Sequence, residues 1–128
     1  MITFDKFLEA LNRVEARGRK KNVPPGDDGK TIGPLQIHYA YWGDALNWID
    51  GETNKIVVIP YSLCEYWKPS KIIAYAYLDR YASKALREGN WEHLARVHKG
   101  GPQGHRKKAT IPYWEKVKAE LIKMGEKP

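Results

Sequence analysis

The stretch from Thr3 to Glu15 constrains the fold more than any other part of the chain. Phe4, Phe7, Leu8, Leu11 and Val14 recur at helical spacing, which predicts an amphipathic helix with one face committed to a core. Glu15 falls four residues beyond Leu11 and seven beyond Leu8, so it continues that apolar face. A carboxyl group there is partly desolvated, and it stands in the last turn, where the negative end of the helix dipole opposes ionisation. Both effects push its pKa upward, which is how a glutamate becomes a proton donor near neutral pH. The alternative is a glutamate at the rim of the stripe, leaning into solvent and pairing with Arg17 or Arg19.

Thr3 is placed to cap this helix, with Ile2 and Phe7 as a hydrophobic staple, and Gly18 is its natural stop. The stretch from Arg17 to Thr31 is basic and then rich in turn residues, Val23-Pro24-Pro25-Gly26-Asp27-Asp28-Gly29, so regular structure there is limited to a short hairpin. Gly33-Pro34-Leu35-Gln36-Ile37-His38 leads into a second helix from about Tyr39 to Asn47, with Asp50 to Asn54 as loop. Ile56 to Ile59 has strand composition but ends at Pro60 and has no partner run, so it is expected to be loop. Further helices are expected over Ser62–Trp67, Ser70–Arg87 and Asn90–Val97, separated by Pro69 and Gly89, with Asn90 capping the third. Lys99 to Gly104 should form an irregular turn, and Thr110 should cap a last helix carrying Trp114, Val117, Leu121 and Met124. The expectation is a mainly α, α+β chain: one domain over residues 1–128, about six helices around one core, and a small β-hairpin after the first.

At 128 residues the chain is long enough to bury a core without metal or disulfide staples. The single cysteine, Cys64, permits no intrachain disulfide and reads as a small buried apolar residue. No stretch is long and apolar enough to span a bilayer, and the N-terminus carries no secretory signal, so a cytoplasmic location is expected until the protein is released or delivered elsewhere. The formal net charge of +7 predicts an anionic partner: nucleic acid, acidic membrane or anionic cell wall. The basic runs Arg17 to Lys21 and His105 to Lys108 are expected to be solvated loops. No helix carries the basic stripe of a groove reader, so no nucleic-acid partner is expected. His93, His98 and His105 place no two rings on one helix face, and neither a metal nor another cofactor is expected.

Four phrases carry a resemblance. Val14-Glu15, Gly26-Asp27-Asp28-Gly29-Lys30, Gly33 to His38 with Tyr41-Trp42-Gly43-Asp44-Ala45, and Leu94 to Gly104 before Ala109-Thr110-Ile111-Pro112-Tyr113-Trp114 resemble the destabilase, or invertebrate-type lysozyme, family in both order and spacing. The resemblance runs from about residue 8 to 118 and implies a lysozyme-like fold. It also implies a muramidase that hydrolyses the β-1,4 bond between N-acetylmuramic acid and N-acetylglucosamine, acting on peptidoglycan at the bacterial cell wall. The family's general acid maps onto Glu15 and its second carboxylate onto Asp27, with Asp28 as a rival. Such chemistry needs an acid for the leaving oxygen and a carboxylate facing the oxocarbenium-like centre. An aspartate among turn glycines is solvated, which gives the pair opposite environments. Without the resemblance, both aspartates read as an ordinary turn.

By the same resemblance, Gln36 and His38 face the substrate, and His98-Lys99-Gly100-Gly101 lines the saccharide groove. Lys99 stands where relatives carry asparagine, and Ala16 where they carry serine. A lysine there could meet a peptide-stem carboxylate. Gln36 reads equally well as a structural link between hairpin and helix. Tyr75 and Tyr113 are the aromatic residues assigned to the groove, the other rings being core candidates. The family's disulfides are absent, which suits a bacterial or phage relative stabilised by its core. The basic loops would also attract anionic wall polymers. The competing readings are a lytic transglycosylase using Glu15 alone, and a non-catalytic basic binding module on the same scaffold.

Overall fold

Helix α1 (Phe4–Ala16) begins where the Thr3 hydroxyl accepts the Lys6 amide at 3.2 Å, as expected of a capping threonine. It ends one residue before the expected stop: Arg17 takes a left-handed conformation, φ 54°, and the Gly18 amide reaches back to the Asn12 carbonyl, closing the last turn. The computed structural model describes residues 1–128, and in it α1 is followed by a two-stranded antiparallel hairpin, β1 (Thr31–Ile32) and β2 (Ile37–His38). Thr31 pairs with His38 and Ile32 with Ile37. Four further helices complete the chain: α2 (Tyr39–Thr53), α3 (Trp67–Glu88), α4 (Trp91–Gly100) and α5 (Ile111–Lys123).

The mainly α architecture with a small hairpin after the first helix is the expected one, with five α-helices in place of about six. The helix expected over Ser62–Trp67 is a 3-10 turn, Tyr61–Glu65, after which α3 starts at Trp67. Pro69 does not separate two helices. It sits in the first turn of α3, where a missing amide proton costs nothing. Helix α2 runs through the expected loop Asp50 to Asn54 and stops at Asn54, φ 53°. There the turn-forming side chains finish the helix: the Thr53 hydroxyl donates to the Ile49 carbonyl and Asp50 accepts the Val57 amide. Asn90 caps α4 as expected. Thr110 does not cap α5, because its hydroxyl is engaged with the Gly104 and Lys107 carbonyls and with Arg96 Nε. Residues 56–59 form no regular element and join no sheet, as expected of a loop.

One apolar cluster of 23 buried residues holds these elements together, with Phe7, Leu8 and Leu11 of α1 packed among side chains of the hairpin turn, α3, α4 and α5. Cys64 is part of it, and burial pushes its thiol pKa up to about 12. The carbonyl of Cys64 abuts Gly33, φ 79°, where any side chain would collide with it. This close approach seats the hairpin turn against the 3-10 turn.

Asn12, fully buried on the α1 stripe, fixes how the hairpin lies on α1. Its amide nitrogen donates to the Pro34 and Arg19 carbonyls, both at 2.9 Å, and its oxygen accepts from Lys20 Nζ at 2.6 Å. Lys20 also pairs with Glu9 and lies 4.7 Å from the Trp67 ring centroid, so this member of the basic run is a structural clamp. Replacing Asn12 with leucine leaves the buried Pro34 carbonyl without a partner and takes one contact each from the Arg19 carbonyl and the Lys20 ammonium. It should cost roughly 2–4 kcal/mol, measured by urea denaturation, at the scale of ~1–3 kcal/mol per orphaned buried group.

Candidate active site

A cleft of about 460 Å³ opens between α1, the hairpin, α2 and α4. Its walls are Glu15, Asp27, Thr31, Gln36, His38, Tyr41, His98 and Lys99, of which only Tyr41 is hydrophobic. The volume is in the range of small-molecule clefts, roughly 300–1,000 Å³.

Glu15 reaches this cleft from the last turn of α1 with a side chain only 13% exposed. Burial raises its pKa from 4.5 to about 7, while Lys99 and then Lys116 oppose the rise. Neither Arg17 nor Arg19 pairs with it. Its close neighbour is His98, whose Nε2 lies 3.9 Å from Glu15 Oε2. This is not an ion pair. Burial lowers the His98 pKa to about 4, against a smaller opposing effect of its bond to Leu35, so from about pH 4 to 7 both groups are uncharged.

The tautomer of His98 follows from its partners. Nε2 lies 3.1 Å from the Leu35 carbonyl, which can only accept, so the proton is on Nε2. Nδ1 is then an acceptor, and the Tyr41 hydroxyl donates to it at 2.9 Å. The Tyr41 ring stacks on Tyr77 at 3.7 Å, and burial lifts its hydroxyl pKa well above 10. His98 is thus a buried tie between α4, the hairpin turn and α2, rather than part of an exposed turn.

Asp27 stands opposite in character, with a side chain 60% exposed and Oδ2 3.0 Å from His38 Nε2. Gly26 to Gly29 form a tight turn closed by the Gly29 amide on the Gly26 carbonyl, with positive φ at both central residues, 50° at Asp27 and 55° at Asp28. That is the pattern of a type I′ turn, which aspartate tolerates better than most side chains. It turns Asp27 toward the cleft, and Asp28 is not among the lining residues.

Gln36 faces the cleft, but its amide is occupied: the Thr31 hydroxyl donates to Oε1 at 2.7 Å, and Nε2 donates to the Gly33 carbonyl at 2.9 Å. A Cβ at Gly26 would displace the Gln36 amide from this position, because it would meet Oε1. Lys99 is exposed on the cleft wall, with Nζ 5.5 Å from the Tyr113 ring centroid. Tyr113 is buried beneath it, and Gly100 packs against Thr110; neither is a wall of the cleft, and neither is Gly101. Tyr75 is half exposed elsewhere, edge-on to Phe4 on the solvent side of α3. Sequence reasoning passed over Tyr41 and Thr31. Tyr41 stands in one of the resembling phrases but reads there as a core aromatic, and no local signal marks Thr31. His93 and His105, distant in sequence, stack at 4.1 Å outside the cleft.

A helical scaffold whose first helix delivers a buried carboxyl to a cleft closed by a small β-hairpin is the lysozyme-like arrangement. The chain is similar to invertebrate lysozymes. It is 28% identical to the lysozyme of Meretrix lusoria over 116 residues, covering 91% of this chain and 88% of the relative. It is 48% identical to a lysozyme of Magallana gigas over 42 residues, 33% of this chain. That match and a similar one in Ostrea edulis each span only 31% of the relative's length. Among solved structures, a chain in the complex of Aeromonas hydrophila PliI with Meretrix lusoria lysozyme superposes with a TM-score of 0.67 at 27% identity, covering 88% of this chain and 86% of that one. No protein-family model matches the chain.

The raised Glu15 pKa has a stability consequence with a definite sign. Below pH 4.5 the carboxyl is protonated both folded and unfolded. Between 4.5 and about 7 the unfolded chain releases a proton that the folded chain keeps, so stability is lost as pH rises through this window. The rise from 4.5 to about 7 corresponds to on the order of 3 kcal/mol. Glu15→Gln, which removes the charge, should therefore stabilise the protein by up to about that amount at pH 8 and hardly at all at pH 4, in denaturant titrations at the two pH values.

Proposed function

We propose that this protein is a glycoside hydrolase, a muramidase that cuts the β-1,4 bond between N-acetylmuramic acid and N-acetylglucosamine in bacterial peptidoglycan. The observation that carries the reading is the buried Glu15 carboxyl, which holds its proton up to about pH 7 in the cleft it shares with the exposed Asp27. Two carboxyls in contrasting environments match the acid and the stabilising partner that glycosidic cleavage requires. Glu15 gives its proton to the bridging oxygen as the bond from that oxygen to the anomeric carbon breaks. Asp27 faces the positive charge that develops on the sugar, and water completes the hydrolysis. The similarity to curated lysozymes supports both the reaction class and the substrate.

His98 supports the acid without touching substrate: as a buried neutral imidazole it keeps a cation away from Glu15. Gln36 belongs to the hairpin framework, and Lys99 and His38 form the polar wall available to substrate. The positive charge of the chain suits a polyanionic cell wall, where such an enzyme meets its substrate and lyses it.

The test is mass analysis of products from purified peptidoglycan. Wild type should release fragments with reducing muramic ends, and activity should decline as pH rises through about 7 because the acid must be protonated. Glu15→Gln should lower kcat by roughly 10²–10⁴-fold with the fold retained. Asp27→Asn should also be severely impaired, whereas Asp28→Asn should keep most of the activity. Anhydro-muramic ends, with Asp27→Asn fully active, would replace hydrolysis by transglycosylation. No product from the wild type would end both readings.

A further inference from the structure

Lys99 is out of place in a cleft that depends on a protonated acid. Its side chain is exposed on the cleft wall and steadied over the Tyr113 ring, yet no carboxylate of the chain pairs with it. Its charge reaches Glu15 and works against the acid's hold on its proton. A cation that opposes the acid in the free protein, and that nothing in the chain neutralises, points to a neutralising partner in the substrate.

We propose that Lys99 is a specificity-determining residue that binds a carboxylate carried by the muramic side group of the glycan, selecting acidic over neutral strands. The proposal rests on the muramidase reading and names what that cleft prefers. A charge-assisted contact from a lysine ammonium to a carboxylate is among the stronger hydrogen bonds available at a cleft wall. Binding also has a consequence for the acid. Once the substrate's carboxylate neutralises Lys99, the ammonium no longer favours ionised Glu15, so the acid keeps its proton to higher pH in the complex than in the free enzyme. The other groups facing Glu15 are accounted for. His98 on α4 is neutral, Tyr41 on α2 and Tyr113 on α5 are un-ionised phenols, and Lys116 on α5 is the remaining cation within electrostatic reach. Asp27 and His38 pair with each other on the hairpin side.

The experiment compares three defined substrates: muropeptide oligomers with free stem carboxylates, the same oligomers with those carboxylates amidated, and stem-free strands bearing only the lactyl carboxylate. Wild type should show kcat/KM about tenfold higher for the free-acid oligomer than for the amidated one, and Lys99→Gln should collapse that ratio toward one while Lys99→Arg preserves it. The stem-free strand sets the breadth of the contact: parity with the free-acid oligomer shows that Lys99 takes a lactyl carboxylate as well as a stem one, and parity with the amidated one restricts it to the stem. With the acidic substrate the alkaline limb of kcat should lie above that of kcat/KM in wild type, and the two should coincide in Lys99→Gln. Equal turnover of all three substrates by wild type, or an equal loss on all three in Lys99→Gln with no change in the limbs, overturns the role of Lys99 and leaves the muramidase reading standing. Failure of wild type to cleave any of them removes that reading itself.

Discussion

The neutral imidazole of His98 is the constraint on which the rest of the site depends. It bonds to Leu35 in the hairpin turn through Nε2–H and to the Tyr41 hydroxyl of α2 through Nδ1, and it is fixed on α4, so three separate elements meet at one ring. Protonating it would reverse the Tyr41 bond, with Nδ1–H donating to the hydroxyl oxygen, and would place a charge where water cannot follow. An imidazolium 3.9 Å from Glu15 would favour the ionised glutamate, since it lies within the range where opposite charges lower a carboxyl's pKa. The same three-way tie that closes the cleft therefore leaves burial free to hold the Glu15 proton.

The second carboxyl owes its character to backbone geometry. A tight turn with two successive positive-φ aspartates lifts Asp27 into solvent, where His38 and water can meet it. Gly33 permits this by accepting a close approach of the Cys64 carbonyl that any side chain would block, and Gly26 leaves room for the Gln36 amide. The polarity of the cleft thus comes from a small β-element whose position is set by buried polar contacts, chiefly Asn12 to Pro34 and His98 to Leu35.

What was legible in the sequence was local. The apolar stripe of α1, the Thr3 and Asn90 caps and the turn at Gly26–Gly29 depend on residues a few positions apart, and Glu15 could be placed at the stripe's end by counting. The departures have long-range causes. Pro69 reads as a break until the 3-10 turn before it supplies a helix start, and the Asp50–Asn54 residues read as loop although their side chains finish a helix. His98 follows a helical run and precedes two glycines, which suggests exposure. Only Leu35, 63 residues away, and Tyr41, 57 away, make it a core residue. Tyr75 has the chemistry of a sugar-stacking ring but lies on the face of α3 that meets Phe4, an assignment helical periodicity alone does not make.

Cys64 carries a last consequence. Its sulfur is sealed in the core with a pKa near 12, so the thiolate that oxidants and alkylating reagents attack scarcely forms, and no second cysteine exists to trade bonds with it. A scaffold latched by cystines loosens when glutathione or thioredoxin opens them. This one has nothing to open, and its folded state is indifferent to whether its surroundings are oxidising or reducing.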